Sequence, residues 1–258
     1  MASRVAETTE MRLSTIGQQA VVLAVVLAAW YFASGTVIPA FYISDPVRIS
    51  GVIVGWFSSG SIWIHIGATM LTLFLGYAVG ATLGIVVGLL LGLSPRTERV
   101  LAPFIAALYG LPKVALLPLL VILFGIGLLS KVVLVASVVF FLLLYATLGG
   151  MADVDRDTMD GLRLMGATES EIVRKVRVPV MLPWIYTGFR TSIGYALTTT
   201  VVSEALSSNR GLGFLIEHAA VQFNAAGVFA AVVILLALSS VIMVPLAMLE
   251  SRMKPTKL

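Results

Sequence analysis

Cysteine occurs nowhere in this chain. Disulfides, thiolate metal sites and a cysteine nucleophile are therefore excluded. Histidine is nearly missing too. Only His65 and His218 are present, in separate segments without HExxH spacing, and with Glu217 they are the sole plausible material for a metal or acid–base centre. Catalysis fits poorly. No lysine follows a glycine, whereas the phosphate-binding loop of nucleotide hydrolases contains Gly-Lys, so any energy from ATP must come from another polypeptide. Charge is scarce: 12% of residues are charged against 59% hydrophobic, far outside the range of soluble domains.

What is present is apolar sequence in long runs. Residues 66–93 and 132–151 carry no Asp, Glu, Lys or Arg, and each is long enough to cross a bilayer, which takes roughly 20 residues. Six spans are expected, near 16–38, 64–93, 101–124, 131–150, 181–203 and 226–249, separated by segments where Gly, Pro, Ser and charge collect. The expected fold is an all-α polytopic membrane protein, with tails at 1–15 and 251–258 around a transmembrane domain at 16–250. Residues 20–33 also have the look of a signal-peptide core. A retained helix is the better reading, because the apolar span is longer than usual and Glu7 and Glu10 dilute the basic flank.

Basic residues fix an orientation. With both termini inside, twelve fall in inner segments, among them Arg96, Arg99, Arg156, Arg163, Arg174, Lys175 and Arg177. Only Arg48, Lys131 and Arg210 fall outside, and Lys113 and Arg190 lie within spans. The net charge of +4 then follows from topology, and no nucleic-acid partner is required. The outer segment 39–63, with Tyr42, Trp56 and Trp63, reads as an interfacial helix.

Three features carry mechanism. The second span places Gly76, Gly80, Gly84, Gly88 and Gly92 on one helical face, a surface for close helix packing. The third is interrupted by Pro103, Gly110, Pro112 and Pro118, and broken helices at membrane depth either line a cavity or sit against protein. Lys113 within it either snorkels or faces such a cavity. The third feature is the loop from 153 to 183. Met159, Leu162 and Met165 recur at helical spacing, as do Ile172, Val173 and Val176. Two short helices are expected, broken at Gly166, with Thr168 and Glu171 as a capping box and Pro179 as the terminator. Such a helix–glycine–helix elbow is a lever between two spans; an amphipathic loop lying on headgroups is the competing reading.

The run Met159-Asp160-Gly161-Leu162-Arg163-Leu164-Met165-Gly166-Ala167, with Ile172 and Leu182-Pro183 beyond it, resembles the EAA loop of binding-protein-dependent ABC importer permeases. Leu111-Pro112-Lys113-Val114-Ala115-Leu116, Pro118-Leu119, Phe124-Gly125-Ile126-Gly127 with Ser130-Lys131, Val201-Val202-Ser203-Glu204 and Gly211-Leu212-Gly213-Phe214-Leu215-Ile216 are similar to the branch that handles nitrate, sulfonates, taurine and bicarbonate. The similarity spans roughly residues 65–250. One departure stands out: Asp160-Gly161-Leu162 replaces the family's Glu-Ala-Ala, which puts the usual contacts of the acid in doubt.

The resemblance implies a type I importer permease of the bacterial-type inner membrane, with both termini cytoplasmic. It implies a coupling loop at 151–180 whose docking surface on the ATPase is Asp160, Gly161, Arg163, Gly166, Ala167, Thr168, Glu169 and Glu171. It further implies two ATPase subunits carrying ATP and Mg, a second permease copy as a homodimer, an extracytoplasmic solute-binding protein, and no cofactor on this chain. Candidate pathway residues are Pro112, Lys113, Pro118, Arg190 and Glu204, the last also a candidate for a gate or structural network. The solute is a small anion such as a sulfonate, taurine or nitrate, although relatives with the same motifs handle vitamin precursors and aromatic acids. A secondary carrier using Lys113, Arg190 and Glu204 as an ion relay is the alternative of a different class, and it leaves the elbow unexplained.

Overall fold

The computed structural model describes residues 2–253, and among them the chain is helical with no strand beyond an isolated bridge between Ser34 and Ile38. In chain order the helices are α1 (Ala2–Ala33), α2 (Ala40–Ile43), α3 (Pro46–Ser58), α4 (Ile62–Gly92), α5 (Pro95–Gly110), α6 (Leu117–Phe124), α7 (Leu128–Ala152), α8 (Arg156–Leu164), α9 (Glu169–Ile172), α10 (Val178–Ser207), α11 (Leu212–Val221) and α12 (Ala225–Met253). The 1–15 and 251–258 tails expected from the sequence fall outside the residues whose side chains are described.

Three helical stretches, α4, α7 and residues 225–244 of α12, are long and apolar enough to cross a membrane, and the pair α5 and α6 makes a fourth, broken span. The other two expected spans correspond to Gly17–Ala33, an apolar stretch at the end of α1, and to α10. The latter has the length but dilutes its apolar content with Arg190, Ser192, Thr198, Thr199, Thr200, Ser203 and Glu204.

The glycine series explains the bundle's centre. A Cβ on Gly76 would lie 2.6 Å from Val135 Cβ, on Gly80 2.5 Å from the Ala136 carbonyl, on Gly84 2.5 Å from that of Phe140, on Gly88 2.7 Å from Thr147 Cβ, and on Gly92 2.9 Å from Met151 Cβ. All five glycines therefore face α7. Apolar helices gain little from leaving lipid for one another, so contact must come from close packing, and glycine permits it. Leu73, Val135, Val139, Leu143 and Ala196 form the core where α10 joins this pair. At one end Gly150 and Gly188 repeat the device, meeting Met181 and Ala146. At the other, Ile62, Leu212 and Ile234 pack with Ile53 and Trp56, tying α3, α4, α11 and α12 together. The interfacial segment is helical as expected: Asp45 caps α3, accepting from the Val47 and Arg48 N–H groups, and Pro46 opens it.

Candidate functional site

The elbow between α7 and α10 is built from the backbone outward. Asp155 caps α8 by accepting from the Asp157 and Thr158 N–H groups. α8 then stops because Gly166 takes φ +91°, a left-handed conformation that costs other residues. The Gly166 N–H donates to the Arg163 carbonyl and the Ala167 N–H to that of Leu162, both at 3.0 Å, which is the paired closure of a Schellman motif. Two residues on, Thr168 accepts from the Glu171 N–H while the Thr168 N–H donates to Glu171 Oε2, so the capping box forms reciprocally.

Side chains stiffen this corner. Arg163 donates to Asp160 Oδ1 at 2.6 Å and, from Nε and Nη2, to both carboxylate oxygens of Glu169 at 2.6 and 3.3 Å, joining α8 to α9 across the glycine turn. The shortened acid Asp160 thus pairs within its own helix. The hydrogen bonds it donates to Glu169 and Asp160 push the Arg163 guanidinium above its ordinary value, and Arg163 holds Glu169 below the usual carboxylate range. Glu171 is held down to about 2, first by the hydrogen bond from Lys175 and then by those from Thr168. Beneath these groups Val154, Met159 and Ile172 form a small core with Leu162, Ala167 and Val176.

The structure corrects two expectations here. Met165 does not join the buried face: α8 ends at Leu164, one residue earlier than periodicity suggests, so Met165 and Leu164 stand 85% and 90% exposed at the tip. Nor does Pro179 terminate anything. After α9 the chain widens into a π turn over Val173–Arg177 and runs directly into α10, with Pro179 as its second residue. The elbow is thereby continuous with α10. Trp184 on α10 also donates to Asp153 at 3.0 Å, and Arg177 donates to the Met159 sulfur.

The broken span is sharper than a kink. α5 meets the stretch Lys113–Phe124, a 3₁₀ turn (Lys113–Leu116) leading into α6, at 80° across Pro112. Pro118 lies in the first turn of α6, where a missing N–H costs nothing. Lys113 bends back, donating to the Tyr109 carbonyl at 2.8 Å, with its Nζ 4.6 Å from the Phe141 ring centre. Two of the carbonyls that α5 leaves open are thus served by one cation, since Leu108 also accepts at 3.5 Å. Beside the break a cavity of about 490 Å³ is lined by Tyr109, Lys113, Val138, Leu142, Tyr195 and Thr198 among others.

Glu204 and Arg190 lie elsewhere on α10. Arg190 is exposed on the half nearer the elbow. Glu204 is fully buried. Thr69 donates to its Oε2 at 2.9 Å and the Gly213 N–H at 3.1 Å, while the Leu212 N–H donates to Thr69 at 2.9 Å. The carboxylate therefore caps the start of α11, a favourable place for negative charge. Gly211 and Gly213 have no room for a Cβ against Glu204 and the Val201 carbonyl. Sequence reasoning missed Thr69 as the partner and Lys131 as a buried residue.

The comparisons agree with this geometry. The family described as "Binding-protein-dependent transport system inner membrane component" matches residues 80–255. The taurine transport system permease protein of Escherichia coli is 29% identical over 90% of this chain and 87% of its own length. A putative aliphatic sulfonates transport permease protein of Bacillus subtilis is 32% identical over 82% and 77%. Among solved structures, an inward-facing MetNI methionine ABC transporter chain superposes with a TM-score of 0.60 at 18% identity, over 75% of this chain and 95% of that one. The fold is thus that of a type I ABC permease, and the chain belongs to the binding-protein-dependent inner-membrane permeases of ABC importers, in their taurine and sulfonate branch.

Proposed function

We propose that this chain is one of two identical permease copies around a translocation path. Two ATPase subunits, which carry the ATP and Mg, dock on the elbow, and an extracytoplasmic protein delivers a small sulfonate-type anion. The observation that carries the reading is mechanical: the elbow is capped at both ends of α8 and at the start of α9, cross-tied by Arg163, and runs through a π turn into α10 without a loop. A push on the exposed Leu164 and Met165 is therefore transmitted to α10 rather than absorbed. Asp160, Gly161, Arg163, Gly166, Ala167, Thr168, Glu169 and Glu171 frame the docking surface, apolar at the tip and charged at the rim, as interfaces usually are. The orientation follows from the basic residues: elbow and termini cytoplasmic, α11 outside. The pathway runs beside the broken span, past Pro112, Lys113 and Pro118, with Arg190 nearer the cytoplasmic mouth, while Glu204 fixes α11 as part of the outer scaffold. The chain itself binds no cofactor and performs no hydrolysis. Identity with taurine and sulfonate permeases supports the anion class, and Lys113 supplies a fitting charge at the break.

The test is reconstitution. Uptake and ATP hydrolysis appear together only when a partner ATPase and a binding protein are present, and Leu164→Glu with Met165→Glu abolishes ATPase co-purification while membrane insertion survives. Retention of the ATPase by that double variant, or uptake driven by a sodium or proton gradient with the lone chain, overturns the reading.

A further inference from the structure

At the end of the bundle opposite the elbow lies a second cavity, of about 540 Å³, in the range of small-molecule sites. It is walled by Thr72 of α4, by Gly127, Leu128 and Lys131 where α7 begins, and by Ser208 and Arg210 of the segment between α10 and α11. Four observations converge on it. Lys131 is only 6% exposed, yet among the described residues its ammonium has a single side-chain partner, Ser208 Oγ at 2.9 Å, for three donors. Lys131 is the fourth residue of α7, an end at which the helix dipole disfavours a cation. The Thr72 hydroxyl is buried with no hydrogen-bond partner among the described residues. A second cation, Arg210, sits at the rim.

Glu204 offsets this charge only from a distance. It attracts Lys131, but its Oε2 is taken by Thr69 and Gly213, its Oε1 has no hydrogen-bond partner among the described residues, and no ion pair within 4.0 Å joins Glu204 and Lys131 among them. A buried ammonium at a helix start, with an unused hydroxyl on a neighbouring wall residue and an arginine above, is a receptor for negative charge.

We propose that this cavity binds a single small oxyanion group, a sulfonate or carboxylate, with Lys131 as its buried cation, the Thr72 hydroxyl as a further donor and Arg210 at its mouth, while Ser208, whose hydroxyl donates to the Arg210 carbonyl, holds Lys131 in place. The reading of the chain as an importer supplies only its sense, a receiving site ahead of the broken span; the site itself is testable without any partner.

The full chain in lipid nanodiscs is titrated with 2,2,2-trifluoroethanesulfonate and with neutral trifluoroethanol, following ¹⁹F line broadening. The sulfonate broadens and the alcohol does not. Lys131→Gln weakens binding roughly tenfold or more, as expected for loss of a charge-assisted hydrogen bond. Arg210→Ala weakens it by a smaller factor, and Arg48→Ala, which alters an outer cation paired with Asp45, leaves it unchanged. Where Lys131→Gln fails to insert, Thr72→Val and Arg210→Ala decide, and weakening by either supports the site. Replacing phosphatidylcholine by phosphatidylglycerol separates two sources of the oxyanion: displacement of the probe assigns the site to a lipid headgroup, and its persistence assigns it to a solute. Equal behaviour of the two probes overturns the proposal. So does wild-type broadening in a folded Lys131→Gln variant, or in both Thr72→Val and Arg210→Ala where that variant does not fold. The importer reading stands or falls separately, on ATP-dependent uptake.

Discussion

The seam between α4 and α7 and the elbow between α8 and α9 are both rigid joints, and they are made by opposite means. In the seam five glycines bring two apolar helices to backbone contact, with no ion pair between them among the described residues. In the elbow a three-residue core is too small to hold a corner by itself, and the work passes to caps, a left-handed glycine and a forked arginine. The difference follows the solvent. Lipid competes for no hydrogen bond and rewards no apolar burial, so shape decides. Water competes for every polar contact, and isolated surface ion pairs contribute little, so a corner in water must be fixed through its backbone.

The contrast is most easily broken at the seam. Gly80→Val or Gly84→Val drives a side chain into the Ala136 or Phe140 carbonyl, and backbone cannot step aside as a side-chain tip can. Overpacking of this kind costs about 1–3 kcal/mol or more, and the expected outcome is loss of folded protein in detergent, seen as aggregation by size-exclusion chromatography. Gly166→Val comes next. A left-handed β-branched residue costs on the order of 1–2 kcal/mol, but the bundle does not depend on it, so the variant inserts normally and hydrolyses ATP with its partner while uptake falls. Charge reversal of Glu169 and Glu171 together has the same uncoupling signature. Thr168→Ala removes one cap, worth about 1 kcal/mol, and is read as faster amide exchange at Glu171 with unchanged exchange in α4.

The mildest effect is that of acid. Glu169 and Glu171 both titrate below their ordinary value in the folded elbow. Their contribution is complete above about 4.5, the ordinary value, and is lost as pH falls toward about 2, where folded Glu171 takes up its proton. Amide protection around Gly166 to Glu171 therefore declines through that window, whereas the charge-free seam is unaffected. Equal loss in both regions would show that the elbow has no separate polar scaffold.

These two joints also mark how far the sequence could be read. Glycines every fourth residue, and Gly166 followed by Thr168 and Glu171, are local patterns whose meaning is set within a turn or two, and both are realised. The break at Pro112 is local too, although its 80° angle and the return of Lys113 to the carbonyls behind it are not written in the pattern. What stayed hidden was long-range. Glu204 finds Thr69 across 135 positions, and Lys131, an outer-loop cation by charge counting, is packed inside the start of α7. The exposure of Leu164 and Met165 was missed for a different reason: periodicity continues past a helix end that the Schellman closure has already fixed.

The π turn at Val173–Arg177 has a geometric corollary. One residue advances an α-helix by about 100°, so this widened turn holds one surplus residue and sets the bearing of Leu164 and Met165 relative to α10. Deleting a single residue there would let the helix close to ordinary winding with the tip's bearing kept, whereas deleting one from the regular turns of α10 would swing the tip through more than a quarter of a circle. In the second case the permease would keep its spans and its corner, but would present them to its motor facing the wrong way.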